Sequence, residues 1–438
     1  MTMGKQNNTV TNTIETNQKY PLDNAGKFFS FVSSPRIPCV FRICGTLSKP
    51  VDEKILTKAA NTVLPRFPYY SVILKRKYGW YYWQETKKHI FIENERPYPC
   101  QYIPIKEEKR LPFRIIASKK DIIVEFHHSV TDGYGGLNFL RTLIAQYYSL
   151  KYEKFPNWSD ILHPGYKPKE KEFEYSRKKV FKREIPKPPK IVRAYHLSNE
   201  KLPVGEFNTT SLAINVNDIL TVSREHDITL TEFLVAIYLS VLQDTQQDLP
   251  EKQRRRKQKP IRIMVPINLR NHFPSETMRN FTAYVAPGID PRLGLYNFPE
   301  IISRVHHFKK LRVNRKILLQ QISSDVMLEQ NFFIKLIPYF VKQLIAKIAY
   351  RTVAENLFSG ILTNLGIVSL PPPLSDFVEN IQLLSMQHPF FKTGCGILIY
   401  GNTLNLNFGQ CIKESIIEDT FVAKLREFGL SPVISKNP

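Results

Sequence analysis

His127-His128-Ser129-Val130-Thr131-Asp132-Gly133 constrains this chain more than any other stretch. It joins an apolar, strand-like run, Asp121 to Phe126, to a helical run, Leu137 to Leu150, by way of Gly135-Gly136. A strand sends successive side chains to opposite faces. If extended backbone continues to His128, that ring shares a face with Ile122, Val124 and Phe126, while His127 falls with Ile123 and Glu125. The two rings then diverge, and both cannot easily serve one reacting atom. An imidazole, with an unperturbed pKa of roughly 6.5, can take and return a proton near neutrality. The fold must therefore place a strand end, a tight turn and a helix start around an acid/base unit.

At 438 residues the chain exceeds one compact core and predicts two domains. Lys and Arg (62) outweigh Asp and Glu (39), and the resulting +23 suits an anionic partner: nucleic acid, an acidic lipid surface or a phosphorylated cofactor. The sign alone does not choose. No zinc or aromatic-platform spacing marks a nucleic-acid module, so nucleic acid is not expected. The cysteines, Cys39, Cys44, Cys100, Cys395 and Cys411, are odd in number and lack a CxxC pair. Neither a disulfide framework nor a metal site is expected, and a reducing cytosol is the simpler reading. The first twenty residues are polar, without an apolar secretory core, which agrees with a cytoplasmic location. The longest apolar region, Phe332 to Tyr350, is interrupted by Lys335, Lys342 and Lys347. It reads as an amphipathic helix with a core-facing stripe, interfacial membrane contact being the alternative, and not as a membrane span.

Along the chain, residues 1–22 read as a disordered tail and 23–163 as a first lobe. The Lys-, Arg- and Pro-rich residues 164–206 read as an exposed crossover, and 207–438 as a second lobe. Within the first lobe, Phe113 to Ala117 and Asp121 to Phe126 form a predicted hairpin. In the second, Thr229 precedes Glu232 as an N-cap for a helix over Leu230 to Leu242. Arg254-Arg255-Arg256-Lys257 reads as a solvated polar loop. His306-His307 lies in a Lys-rich helical segment and is expected to be exposed. There is no GxSxG elbow, Walker A loop, GxGxxG after a strand, or HExxH.

The HHxxxDG arrangement resembles the signature of the acyltransferase superfamily that includes chloramphenicol acetyltransferase, plant BAHD acyltransferases, alcohol acetyltransferases and nonribosomal peptide condensation domains. Three further segments are similar to those of bacterial alcohol acetyltransferase-like proteins: Val265-Pro266-Ile267-Asn268-Leu269-Arg270, Thr277-Met278-Arg279-Asn280-Phe281, and Thr363-Asn364-Leu365-Gly366. Asn407-Phe408-Gly409-Gln410 stands where the plant enzymes carry DFGWG, and departs from it at the Asp and Trp positions. The resemblance implies an α/β fold of two chloramphenicol acetyltransferase-like lobes with a tunnel between them.

It also implies roles. His128 would be the general base that accepts a proton from an alcohol or amine as it attacks an acyl thioester. Asp132 would pair with an arginine, for which Arg270 is the candidate, and not act as a triad member. His127 would be supporting, and Gly133 would permit a tight turn where substrate approaches. Arg279, Asn280, Thr363 and Asn364 are candidates for the tunnel wall and cofactor contacts, and Thr363 or Asn364 for oxyanion stabilisation. No permanently bound cofactor is expected; acetyl-CoA or another acyl-CoA would be the co-substrate and a small alcohol the acceptor. The rivals are a stand-alone condensation enzyme with a carrier-bound donor and an amine acceptor, a non-catalytic binding protein of the same fold, and a basic membrane- or nucleic-acid-associated protein.

Overall fold

A computed structural model of the chain describes residues 18–77, 79–107, 110–154, 156–186, 188, 191–330 and 337–436. Among them, apolar burial collects in two main cores. One lies around Phe126, Phe139 and Ile144, the other around Phe233, Ile237 and Phe408.

The first core is backed by a sheet ordered Val378–Leu384, Val40–Leu47, Asp121–His127, Phe113–Ser118 and Ile92–Asn94. Its centre is the expected hairpin, in antiparallel register from Phe113 opposite Phe126 to Ser118 opposite Asp121. Lys119 turns the chain at φ 50°. Helix Gly133–Tyr152 buries Phe139, Leu140, Leu143 and Ile144 in this core. The second sheet runs Thr282–Val285, Ile261–Asn268, Gly360–Val368, Thr393–Tyr400, Thr403–Gln410, Asn208–Asn215 and Val433–Lys436. Helix Leu230–Gln247 is buried on nearly every side, and both reciprocal bonds of its N-terminal Thr229/Glu232 capping box are formed. The result is a mixed α/β architecture of two lobes.

Several expectations need correction. Lys19–Pro21, assigned to the disordered tail, is a strand pairing antiparallel with Trp80–Glu85. The crossover 164–206 is not simply exposed. Glu172 is 3% exposed and takes a two-pronged hydrogen bond from Arg66 at 2.6 and 2.7 Å, with the Tyr69 hydroxyl at 3.0 Å. A carboxylate paired with a guanidinium can be buried, so polarity in sequence misled. The lobe boundary at 206/207 is also crossed. Val378–Leu384, from the second half, adds antiparallel to Val40–Leu47 in the first sheet. Arg254 to Lys257 lie on a short helix, Glu251–Lys257, with no buried residue. The 332–350 stripe is only partly core-facing. Residues 331–336 lie outside the described residues, and helix Tyr339–Ala349 leaves Phe340, Leu344, Ile345 and Ile348 exposed.

Candidate active site

The histidine strand ends at His127, and Asp132 caps the following helix, its carboxylate accepting from Gly135 N at 3.2 Å. Between them the chain turns through His128 to Thr131. Strand alternation sends His127 inward. It is fully buried, with Nδ1 2.6 Å from Ser129 Oγ and Nε2 2.9 Å from Ser33 Oγ. Burial pulls its pKa down to about 3, so this ring is neutral and structural.

His128 stands at the strand's end, anchored through its N–H to Cys39 O at 2.7 Å. Its ring stacks on Phe29 at 4.7 Å and meets Phe41 edge-on at 5.2 Å. Its Nδ1 lies 3.0 Å from Asn280 Oδ1. The Asn280 amide nitrogen is committed to two oxygens, His128 O at 3.0 Å and Asp23 Oδ1 at 3.5 Å. The amide oxygen therefore faces Nδ1, and an acceptor there requires Nδ1 to carry the proton. Nε2 is left as the basic nitrogen. Burial moves His128 below the usual histidine range, while the Asp132 carboxylate and the Asn280 bond act in the opposite sense.

Asp132 does not bond to the imidazole. Its Oδ2 accepts from Arg270 Nη1 and from Phe281 N, both at 2.9 Å, and its Oδ1 from Arg270 Nη2 at 3.4 Å. Arg270 also donates to Thr277 O and Arg279 O and lies 4.4 Å over the Tyr134 ring. This cluster ties the histidine turn to the 268–281 segment of the other lobe. Gly133 has an ordinary φ, which corrects the tight-turn explanation. A Cβ there would come within 2.6 Å of Leu365 Cδ2, so its role is to admit a side chain from the second lobe.

A cavity of about 590 Å³ opens between the lobes. His128, Phe29 and Leu137 line it from one side, and Asn280, Ile361 and Thr363 from the other. Arg279 does not reach it, which corrects its assignment to the tunnel wall. Its guanidinium is buried against Pro21 O, Phe173 O and Asp23, holding the Lys19–Pro21 strand to the second lobe. Asn280 does line the cavity, but its polar groups orient the histidine and do not await a cofactor. Asn364 lines it too; its amide donates to Thr231 Oγ1 at 2.9 Å and its carbonyl accepts from Gly366 N at 2.7 Å, which leaves one of its two amide hydrogens uncommitted by these contacts. Thr363 contributes a wall hydroxyl. The Arg254–Lys257 cluster is not on the wall; the cations there include Lys309, 3.3 Å from Glu232. His306 meets the same Glu232 at 3.1 Å.

Sequence reasoning missed Ser385. It is 6% exposed, lines the cavity, and its hydroxyl has no hydrogen-bond partner among the described residues. Nothing local distinguishes a serine at a strand end from any other, so no sequence signal could have found it. Asn280 carried a signal, its nearness to Arg270 in an already notable segment, but its bond to a histidine 152 residues away is a tertiary fact.

Neither a family model nor a curated protein matches the chain. Solved structures do match in fold. Polyketide synthase associated protein 5 from Mycobacterium tuberculosis has TM-score 0.56 at 15% identity, over 93% of this chain and 97% of its own. A doubly substituted starter condensation domain of rhizomide synthetase, solved with C8-CoA and Leu-SNAC, has TM-score 0.59 at 10% identity, over 94% and 92%. The wax ester synthase/diacylglycerol acyltransferase from Marinobacter aquaeolei VT8 has TM-score 0.52 at 12% identity, over 94% and 100%. The chain thus has the two-lobed architecture of condensation domains and wax ester synthase.

Proposed function

We propose that the protein is an acyltransferase that moves an acyl group from a CoA thioester to an alcohol through a ternary complex. The observation that carries this reading is the His128–Asn280 pair. It holds the proton on Nδ1 and leaves Nε2 basic on a ring that lines an inter-lobe cavity. The acceptor hydroxyl gives its proton to Nε2 as its oxygen attacks the thioester carbon. The C–S bond of the tetrahedral intermediate then breaks, and the imidazolium returns the proton to the departing thiolate. The products are an ester and free CoA, with no covalent acyl-enzyme.

Asp132 and Arg270 hold the turn that carries His128. Thr363 and Ser385 are the wall hydroxyls suited to the developing oxyanion. Lys309 is better placed than the Arg254–Lys257 cluster to meet the phosphates of CoA, since it lines the cavity. The cavity of about 590 Å³ is large enough to hold the thioester end of an acyl-CoA together with an acceptor alcohol, and its volume does not by itself set the acyl length.

The test is release of free thiol from acyl-CoAs of graded length, against a panel of alcohols and amines. His128→Ala should lower turnover by about two to four orders of magnitude with the fold intact. Comparable turnover in the variant overturns the reading. The condensation-domain likeness supports a second reading, a carrier-bound donor with an amine acceptor. Turnover with a phosphopantetheinyl carrier but not with CoA would establish it. CoA binding without turnover by either route would leave a non-catalytic binding protein.

A further inference from the structure

Helix Tyr339–Ala349 presents an apolar face that no other element covers among the described residues. Phe340 is 71% exposed, Leu344 59%, Ile345 49% and Ile348 53%. With 3.6 residues per turn, these positions share one side of the helix. The other side is in use. Lys342 is buried with its ammonium 4.0 Å over the Trp80 ring, and the Tyr339 and Tyr81 hydroxyls are hydrogen-bonded. The helix packs there on Asn24–Val32. Exposed apolar side chains of this size, contiguous on one face, mark an interaction surface.

The charge around the face selects the partner. The helix holds no acidic residue, and with Lys342 buried on the packed side its exposed cation is Lys347. At its start, exposed Arg76 lies 4.4 Å over the Tyr339 ring. Beyond its end, exposed Arg351 and Lys201 both approach the Phe390 ring, at 5.8 and 5.4 Å. A second copy of the chain docking face to face would bring these cations together at a cost, whereas an anionic bilayer surface meets both the apolar stripe and its basic rim.

We propose that this helix docks the protein on an anionic phospholipid surface. Phe340, Leu344, Ile345 and Ile348 enter the boundary between headgroups and acyl chains, and Arg76, Lys201, Lys347 and Arg351 meet the headgroups. The contact is peripheral: among the described residues no single helix is long and apolar enough to cross a membrane. It also lies near the chemistry. The partner helix Asn24–Val32 carries Phe29, which stacks on His128 and lines the cavity. The inference stands on the helix and its charges and does not depend on the acyltransferase reading.

Cosedimentation of the full chain with vesicles tests it, using phosphatidylcholine with and without phosphatidylserine. Binding should require phosphatidylserine and fall with added salt. The double variants Leu344→Glu/Ile345→Glu and Lys347→Glu/Arg351→Glu should each weaken it by about tenfold or more, with unchanged circular dichroism. Absence of binding by the native protein, or equal binding by both variants, overturns the proposal. So does a concentration-dependent dimer that Leu344→Glu/Ile345→Glu abolishes without any vesicle binding, which would assign the face to a second copy.

Discussion

Replacing Asp132 with alanine should destabilise the protein before it does anything to the chemistry. The carboxylate is 2% exposed and accepts four hydrogen bonds: from Arg270 Nη1 at 2.9 Å, Arg270 Nη2 at 3.4 Å, Phe281 N at 2.9 Å and Gly135 N at 3.2 Å. Losing the cap on Gly135 costs about 1 kcal/mol. Stranding the buried Phe281 N–H costs about 1–3 kcal/mol. Breaking a buried ion pair by removing one partner typically costs about 3–5 kcal/mol, a figure that overlaps the other two. Arg270 keeps Thr277 O, Arg279 O and Asn268 Oδ1, so its charge is not abandoned. The expected loss is therefore about 4 kcal/mol and not the sum of the parts. Urea unfolding followed by fluorescence and circular dichroism reads it as a lowered midpoint at unchanged slope. Arg270→Met, and the pair of substitutions together, complete a cycle whose coupling should exceed about 1 kcal/mol. A native-like midpoint for Asp132→Ala together with lost turnover would refute this reasoning and give the carboxylate a direct part in the reaction.

Other outcomes follow from the same contacts. Asn280→Ala frees the His128 tautomer and should lower kcat/KM by about 5- to 150-fold, the equivalent of about 1–3 kcal/mol. Asn280→Asp places a carboxylate on Nδ1–H, raises the imidazole pKa, and should move the acidic limb of the kcat/KM profile to higher pH. In the native protein that limb should lie below the ordinary histidine value, because burial lowers the His128 pKa and the base must be neutral to act. Gly135→Ala should yield little folded protein, since a Cβ would meet Met278 O at 2.3 Å and Thr131 Oγ1 at 2.2 Å. Burial pushes Glu418 up to about 8 from 4.5, so its contribution is most favourable below pH 4.5 and is lost as pH rises through 8. Glu418→Gln should raise the Tm more at pH 8 than at pH 5.

Local sequence determined the elements around the site. The alternation from Asp121, the carboxylate at Asp132 and the glycines that follow dictate strand, turn and helix, because hydrogen bonding and capping act over a few residues. The inward place of His127 follows from the same pleat, which ends there, and His128 stands at the start of the turn. Only the tertiary structure decided what each side chain meets. Asp132 finds Arg270 across 138 residues, and His128 finds Asn280 across 152. Arg279 and Asn280 are adjacent in sequence, yet one locks the lobes together and the other sets a tautomer. Val378–Leu384 has the same local pattern whichever sheet receives it, and its place beside Val40–Leu47 is a tertiary fact. Periodicity fixes the face a residue occupies along its own element; the neighbour across the gap depends on how separate elements pack, and that information is spread over the whole chain.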